Sequence, residues 1–109
     1  MLVESNHYLF DFTYSNGRID VEQVMDNAIE AIGELTVVDK FRHNFKPFGL
    51  SLVYVLSESH ISIHTWEEYN YMSVDMYTCG EASPKNTLDE FLKSFNITSK
   101  NLQIISRGV

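Results

Sequence analysis

Two stretches, Ile61-Ser62-Ile63-His64 and Met72-Ser73-Val74-Asp75-Met76-Tyr77, decide the fold class of this 109-residue chain. In each stretch apolar side chains alternate with polar or aromatic ones, and a period of two places the two sets on opposite faces of a β-strand. The stretches are joined near residues 67–70, so the sequence predicts two neighbouring strands of one sheet.

Further strand candidates lie before and after these two stretches in the sequence. Residues 7–14 alternate in the same way, and residues 35–45 and 50–57 are strand candidates that the break at 46–49 separates. A last strand is expected near residues 102–106. The sheet should therefore contain at least five strands.

Two amphipathic helices complete the predicted fold. The first follows Asp20, which stands three residues before Gln23 in the manner of a capping box, and its apolar positions are Val21, Val24, Met25, Ala28 and Ile32. The second opens with Ser83 as N-cap and Pro84 as first helical residue, and its apolar face comprises Leu88, Phe91, Leu92 and Phe95. We expect an α+β fold, a two-layer sandwich of a mainly antiparallel β-sheet with two helices on one face, forming a single domain over residues 1–109.

The composition agrees with one small domain and excludes some partners. Hydrophobic residues make up 44% of the chain, enough for one core. Its 15 acidic and 8 basic residues give a net charge of -7, opposite to the charge that a nucleic acid or an anionic membrane attracts, so neither partner is expected. The N-terminus lacks a signal-peptide pattern and no segment approaches about 18 apolar residues, which predicts a cytoplasmic protein.

The size of the chain also bears on its assembly. A domain this short buries too little surface to enclose a deep pocket alone, and the second face of the sheet also carries apolar and aromatic residues. A homodimer that covers this face is therefore expected.

The densest group of chemically capable side chains lies in residues 57–66, with Cys79 on the next strand. A metal site made of His60, His64 and Cys79 is not expected, because strand residues four apart lie about 13 Å from each other, too far to share one ion. A serine or cysteine hydrolase is disfavoured because the Gly-x-Ser-x-Gly elbow is missing. From the residues alone, a purely structural polar strand stays an open alternative.

Two blocks resolve this ambiguity by resemblance. Ser57-Glu58-Ser59-His60-Ile61-Ser62-Ile63-His64-Thr65-Trp66 and Val74-Asp75-Met76-Tyr77-Thr78-Cys79-Gly80 closely resemble the bacterial and archaeal S-adenosylmethionine decarboxylase proenzymes. Weaker resemblance extends from Asn6-His7 through Pro47-Phe48-Gly49 and Ser51 to Arg107-Gly108. The family is a set of pyruvoyl-dependent lyases made as self-cleaving zymogens.

For maturation, the resemblance implies autocatalytic cleavage between Glu58 and Ser59 into a β chain of residues 1–58 and an α chain of residues 59–109. Ser59 would become a pyruvoyl group, so neither pyridoxal phosphate nor a metal is expected. The resemblance assigns the base for this step to His64 and a supporting role in processing to Ser51.

For turnover, the resemblance implies that the pyruvoyl ketone forms a Schiff base with S-adenosylmethionine and that Cys79 protonates the carbon from which carbon dioxide leaves. The product would be decarboxylated S-adenosylmethionine, the aminopropyl donor for spermidine, a polyamine. Phe45 and Trp66 are expected to contact adenine and Glu68 the ribose or the charged part of the substrate. His7 is expected to be structural.

Departures from the family pattern leave alternatives open. Glu67, for example, stands where many members have proline. A relative retuned for ornithine or arginine would keep Ser59, His64 and Cys79, and is the second candidate. A non-catalytic homologue is disfavoured because all three of these residues are present.

Overall fold

The computed structural model describes residues 4–57, 59–79 and 84–109. The described residues form six strands, which are β1 (Glu4–Tyr14), β2 (Val37–Asn44), β3 (Leu50–Leu56), β4 (His60–Trp66), β5 (Tyr71–Cys79) and β6 (Ile97–Gly108). Two α-helices accompany them, α1 (Val21–Ile32) and α2 (Pro84–Leu92), and a short 3-10 helix (Glu67–Tyr69) joins β4 to β5. The predicted α+β sandwich is confirmed.

The six strands form one sheet in the order β2-β3-β4-β5-β1-β6, and every neighbouring pair is antiparallel. Strands β2 to β5 follow one another as in the sequence. The first strand, however, is inserted between β5 and β6, so the N-terminal segment lies beside residues from the second half of the chain.

One face of the sheet and one side of each helix make the core. Along β3 the buried positions are Leu50, Leu52, Tyr54 and Leu56, and the strict alternation continues in β4 and β5. Helix α1 adds Val21, Met25, Ala28 and Ile29, and helix α2 adds Leu88 and Phe91. Both helices therefore cover the same face of the sheet, as expected.

Helix α1 begins and ends at the residues that its sequence indicates. The Asp20 side chain accepts a hydrogen bond from the Gln23 N–H at 3.1 Å. The Gln23 side chain donates instead to Asn27, so only half of the capping box forms. Gly33 ends the helix with φ of 71°, a left-handed conformation that glycine adopts without strain.

Some predicted boundaries were wrong. Phe95 lies beyond the end of α2, although it still packs in the core, and Leu35 lies before β2 rather than in it. Strand β6 is much longer than residues 102–106 because its polar residues also pair with β1 through the backbone. Ser83, the expected N-cap of α2, lies outside the described residues. Neither α1 nor α2 has the length and apolar character needed to cross a membrane, as far as the described residues go.

The face that neither helix covers is called the open face here. Its side chains are mostly polar in the middle of the sheet and include His7, Asp11, Ser51, His60, Ser62, His64, Ser73, Asp75 and Tyr77. Apolar side chains such as Phe41 and Ile105 lie nearer its two edges, and both are exposed. The expected second face thus exists, but its centre is more polar than the sequence alone suggested.

Candidate active site

Ser59 lies in the turn that joins β3 to β4. Its backbone carbonyl accepts a hydrogen bond from the Leu56 N–H at 2.9 Å, and the residue is partly buried. Glu58, the residue predicted to precede the cleavage point, lies outside the described residues. Turns carry functional residues more often than strand interiors do, and a turn suits a peptide bond that is to be cut.

Cys79 is the last residue of β5 and is partly buried. His60, the residue after Ser59, pairs with Tyr77 of β5. Continuing this antiparallel register places Ser59 beside the end of β5. The fold therefore brings Ser59 and Cys79 to the same end of the sheet.

Ser51 and His64 form a contact pair on β3 and β4. They are paired in the strand register, and the Ser51 hydroxyl lies 2.8 Å from Nδ1 of His64. A hydrogen bond of this length fixes the orientation of the imidazole ring. The two residues to which the family resemblance gave roles in processing are thus adjacent on the open face.

The His64 pair and Ser59 are nevertheless far apart within one chain. His64 follows Ser59 by five residues along β4, and at about 3.3 Å per residue this is roughly 16 Å. Trp66, two residues further, is roughly 23 Å from Ser59 by the same rule. A single chain does not bring the expected base or the expected adenine contact to Ser59.

A pocket of about 260 Å³ lies at the His64 end of β4. It is lined by all three predicted substrate contacts together with the processing pair, namely Phe45, Trp66, Glu68, Ser51 and His64. Phe45 is 52% exposed and Trp66 is 41% exposed, so neither aromatic ring is a core residue. Two exposed aromatic rings at one pocket are suited to stacking on a flat ligand.

The turn before β3 positions Phe45 at this pocket. Its N–H donates to the Gly49 carbonyl at 2.9 Å, which closes residues 45–49 into a loop. Gly49 has φ of 110°, and an added Cβ would come within 3.5 Å of the Phe45 Cβ. The positive φ favours glycine at this position, whereas an added Cβ would only make ordinary contact with Phe45.

A larger pocket of about 530 Å³ adjoins the first on the side of α1. The two share the wall formed by Phe48, Leu50, Thr65 and Glu68, but the larger one is not lined by Ser51, His64, Phe45 or Trp66. The chemistry-bearing residues therefore favour the smaller pocket as the candidate site, and Glu68 lies at the border of both.

A second polar cluster lies on the open face toward the Ser59 end. Nε2 of His7 is 2.7 Å from Oδ2 of Asp75, and Nε2 of His60 is 3.5 Å from the same oxygen. Ser62 donates a short hydrogen bond to the other carboxylate oxygen. The Tyr77 ring packs against both histidines, with centroid separations of 5.7 Å and 5.8 Å, and the two imidazole rings contact each other edge to face at 6.1 Å.

The surroundings of Asp75 shift its acidity. Burial raises the pKa of the Asp75 carboxyl, but the hydrogen bonds from Ser62 and His7 and the nearby His60 together outweigh burial. The net pKa of Asp75 is lowered, so the cluster holds a carboxylate at neutral pH.

The sequence did not predict this cluster. His7 was expected to be structural, and His60 was considered only with His64 and Cys79. The sequence shows alternating polar positions in residues 7–11, 60–64 and 73–77. These side chains form one cluster only because β1 pairs with β5, which the sequence does not reveal.

Comparison with known proteins supplies the family context. A family model described as S-adenosylmethionine decarboxylase matches residues 6–108. The S-adenosylmethionine decarboxylase proenzyme of Methanococcus maripaludis (strain S2) is 41% identical over 90 residues, which are 82% of this chain and 73% of that one. The proenzyme of Pyrococcus abyssi is 33% identical, covering 95% of this chain and 78% of that one.

A solved structure gives the same result for the fold. The adenosylmethionine decarboxylase of Aquifex aeolicus superposes with a TM-score of 0.85 at 29% sequence identity. The match covers 98% of this chain and 92% of that chain, so it includes the sheet, both helices and the candidate site.

Proposed function

The chain belongs to the S-adenosylmethionine decarboxylase family, and we propose that it decarboxylates S-adenosylmethionine after cutting its own backbone between Glu58 and Ser59. Its relatives are named proenzymes, which supports autocatalytic processing. Ornithine and arginine, the alternative substrates, receive no support from these relatives. The observation that carries the proposal is the family match over residues 6–108 together with Ser59 and Cys79 at one end of the sheet.

Ser59 is proposed as the source of a pyruvoyl group. Its hydroxyl attacks the Glu58 carbonyl and converts the peptide amide into an ester. Loss of the Ser59 α-proton then releases Glu58 as a carboxylate and leaves a dehydroalanine, which takes up water and loses ammonia. The turn position of Ser59, its partial burial and the neighbouring end of β5 fit a group that must be reached by substrate and yet be shielded.

The roles in turnover are divided between Ser59 and Cys79. The pyruvoyl group supplies a ketone that accepts the substrate amine and the electron pair released with carbon dioxide. Cys79 donates the proton that replaces the carboxyl group on the substrate. Their common position at one end of the sheet supports this division.

The pocket at the other end of β4 is the proposed adenosine site. Phe45 and Trp66 present aromatic faces for adenine, and Glu68 offers a carboxylate for ribose hydroxyls or for the positive charge of the substrate. Ser51 holds the His64 ring, which is the proposed base for the Ser59 α-proton.

Ser59 and Cys79 form one half-site, and His64 with the adenosine pocket forms the other. Because Ser59 and His64 are roughly 16 Å apart in one chain, we infer that two chains complete each active site. A base must lie within about 3 Å of the proton it removes, or reach it through one water. A two-fold dimer formed through the open face can place the Ser59 end of one protomer against the His64 end of its partner. Such a dimer would have two equivalent sites and would cover the polar centre of the open face.

The proposed function is tested by measuring carbon dioxide release from carboxyl-labelled S-adenosylmethionine, ornithine and arginine in parallel. We expect release from S-adenosylmethionine only, and none from the Ser59→Ala variant. Faster release from ornithine or arginine would overturn the substrate assignment, and equal release by Ser59→Ala would overturn the role of Ser59.

A further inference from the structure

We propose that His7, His60 and Asp75 form a binding site for a divalent transition-metal ion of the zinc class. The three residues come from β1, β4 and β5, which lie side by side. Their ligand atoms all lie within 4.8 Å of one another. This proposal goes beyond decarboxylation and does not depend on it.

The donor set has the chemistry of a transition-metal site. Two imidazole nitrogens and one carboxylate oxygen are ligands that zinc, cobalt and nickel accept, whereas calcium and magnesium prefer oxygen ligands alone. Three protein ligands also leave a fourth position of a tetrahedral ion for water or another group.

The distances from Oδ2 of Asp75 to the two histidine nitrogens are close to those that an ion requires. Bonds of about 2.0–2.1 Å in a tetrahedral site place ligand atoms roughly 3.3 Å from each other. The His60 nitrogen is already 3.5 Å from Oδ2 of Asp75. The His7 nitrogen, at 2.7 Å, has to move away by only roughly half an ångström when an ion replaces the hydrogen bond.

The surroundings hold the ligands in place before any ion binds. Ser62 donates to Oδ1 of Asp75, which leaves Oδ2 directed at the two histidines. The Tyr77 ring contacts both imidazole rings, which also contact each other edge to face. Outer groups of this kind orient metal ligands in known sites and affect affinity by factors of about 10–100.

The burial of the three side chains is intermediate, which suits an exchangeable ion. The side chains of His7 and Asp75 are 20% and 24% exposed, so water competes little for the carboxylate. The His60 side chain is 40% exposed within the single chain, so its nitrogen is the most accessible of the three ligand atoms there. The metal site that the sequence disfavoured combined His60 with His64 and Cys79 and failed on the distance between the two histidines along one strand. The present set differs because its three members come from three adjacent strands.

The test uses full-length protein without a histidine tag, stripped of metal with a chelator. Co²⁺ is titrated and the visible ligand-field absorption is recorded, and Zn²⁺ is then added to displace it. We expect one Co²⁺ per chain, an absorption typical of tetrahedral or five-coordinate cobalt, and displacement by stoichiometric Zn²⁺.

Two variants and one matched control assign the site. His7→Ala removes a ligand, and Asp75→Asn replaces the carboxylate by an isosteric amide, so at least one of them should retain the fold as judged by circular dichroism. Both should weaken Co²⁺ binding by about tenfold or more. His43→Ala, which removes an exposed histidine of β2, should bind as the unmodified chain does.

The outcomes separate a metal site from a simple hydrogen-bonded cluster. Absence of stoichiometric Co²⁺ and Zn²⁺ binding would overturn the proposal and leave Asp75 as a hydrogen-bond acceptor for His7. Equal affinity in a folded His7→Ala or Asp75→Asn variant would overturn it as well. Neither result would affect the proposed decarboxylation, because the measurement follows ion binding alone.

Discussion

At the scale of single residues, the environment of Phe45 separates a ligand contact from a core residue. Its ring is 52% exposed, lines the candidate pocket with Trp66, and is held there by the turn that Gly49 permits. A large exposed aromatic ring contributes little to the core, so its energetic role should appear in binding rather than in folding.

Replacing Phe45 by alanine should therefore weaken the binding of S-adenosylmethionine by about 1–3 kcal/mol, the scale measured for bases stacked on aromatic side chains. The measurement is kcat/KM by carbon dioxide release, with the thermal midpoint recorded alongside. Tyr69→Ala, which removes a ring that is 72% exposed and does not line the pocket, is the matched control and should leave kcat/KM unchanged. Equal kinetics for Phe45→Ala and the unmodified enzyme would remove Phe45 from the site.

Individual residues also show what the sequence could and could not predict about the site. The contact between Ser51 and His64 agrees with the shared role that the resemblance gave them, because both stand on the open face of neighbouring strands. The separation of His64 from Ser59 follows from five residues of strand and could have been calculated from sequence once the strand was accepted. The meeting of His7 with Asp75 could not, because it requires the pairing of β1 with β5.

At the scale of secondary-structure elements, charged side chains attach α1 to the edge strand β2. Glu22 of α1 accepts hydrogen bonds from Lys40 at 2.7 Å and from Arg42 at 2.5 Å. Asp26, one turn further along the helix, also binds Lys40 and accepts a hydrogen bond from the Tyr54 hydroxyl. The hydrogen bonds from Lys40 and Arg42 lower the pKa of Glu22 below its ordinary value.

A lowered carboxyl pKa in the folded state gives stability that is present above the unfolded pKa and is lost as pH falls through the folded pKa. Glu22→Gln should therefore reduce the free energy of unfolding near neutral pH, by less than about 1 kcal/mol since the pairs are partly exposed. The difference should shrink as pH falls below about 4.3, the ordinary glutamate pKa. Urea unfolding between pH 7 and pH 3 measures this difference.

The control for this measurement is Glu30→Gln, which changes an exposed glutamate of the same helix. We expect a smaller effect from it at neutral pH. A Glu22→Gln effect that stays constant down to the lowest pH would contradict the ionic origin of the contact.

Elements also differ in how far the sequence determines them. Helix α1 was predicted with its N-cap because Asp20 and the apolar spacing agree, and β3 to β5 were predicted because their alternation is strict. Strand β6 was predicted too short because its residues beyond Ile97 are exposed, so only backbone pairing with β1 defines its length. Helix α2 was predicted too long since Phe95 keeps the helical spacing after the helix has ended.

At the scale of the whole molecule, the proposed dimer follows from the separation of the two half-sites within one chain, roughly 16 Å. If each active site takes Cys79 from one chain and His64 from its partner, two inactive variants can complement each other. A mixed dimer of Cys79→Ala with His64→Ala would contain one site with both changes and one site with neither. Purified mixed dimers should therefore regain activity at one of their two sites, roughly half of the normal number.

This complementation is measured by carbon dioxide release after the two differently tagged chains are purified together in two steps. Each variant dimer alone, mixed only after purification without chain exchange, is the control and should stay inactive. Absence of activity in verified mixed dimers would mean that each site is built within one chain, contrary to the separation of roughly 16 Å.

The proposed self-cleavage, by which the molecule makes its own catalytic group at Ser59, is tested most directly by a mass spectrum under denaturing conditions. The unmodified protein should give two fragments, residues 1–58 and residues 59–109, with a pyruvoyl group in place of Ser59 at the start of the second. Ser59→Ala should give only the intact chain, whereas Ser57→Ala should still give both fragments because its hydroxyl does not adjoin the Glu58 carbonyl carbon. An intact unmodified chain, or two fragments from Ser59→Ala, would contradict the account.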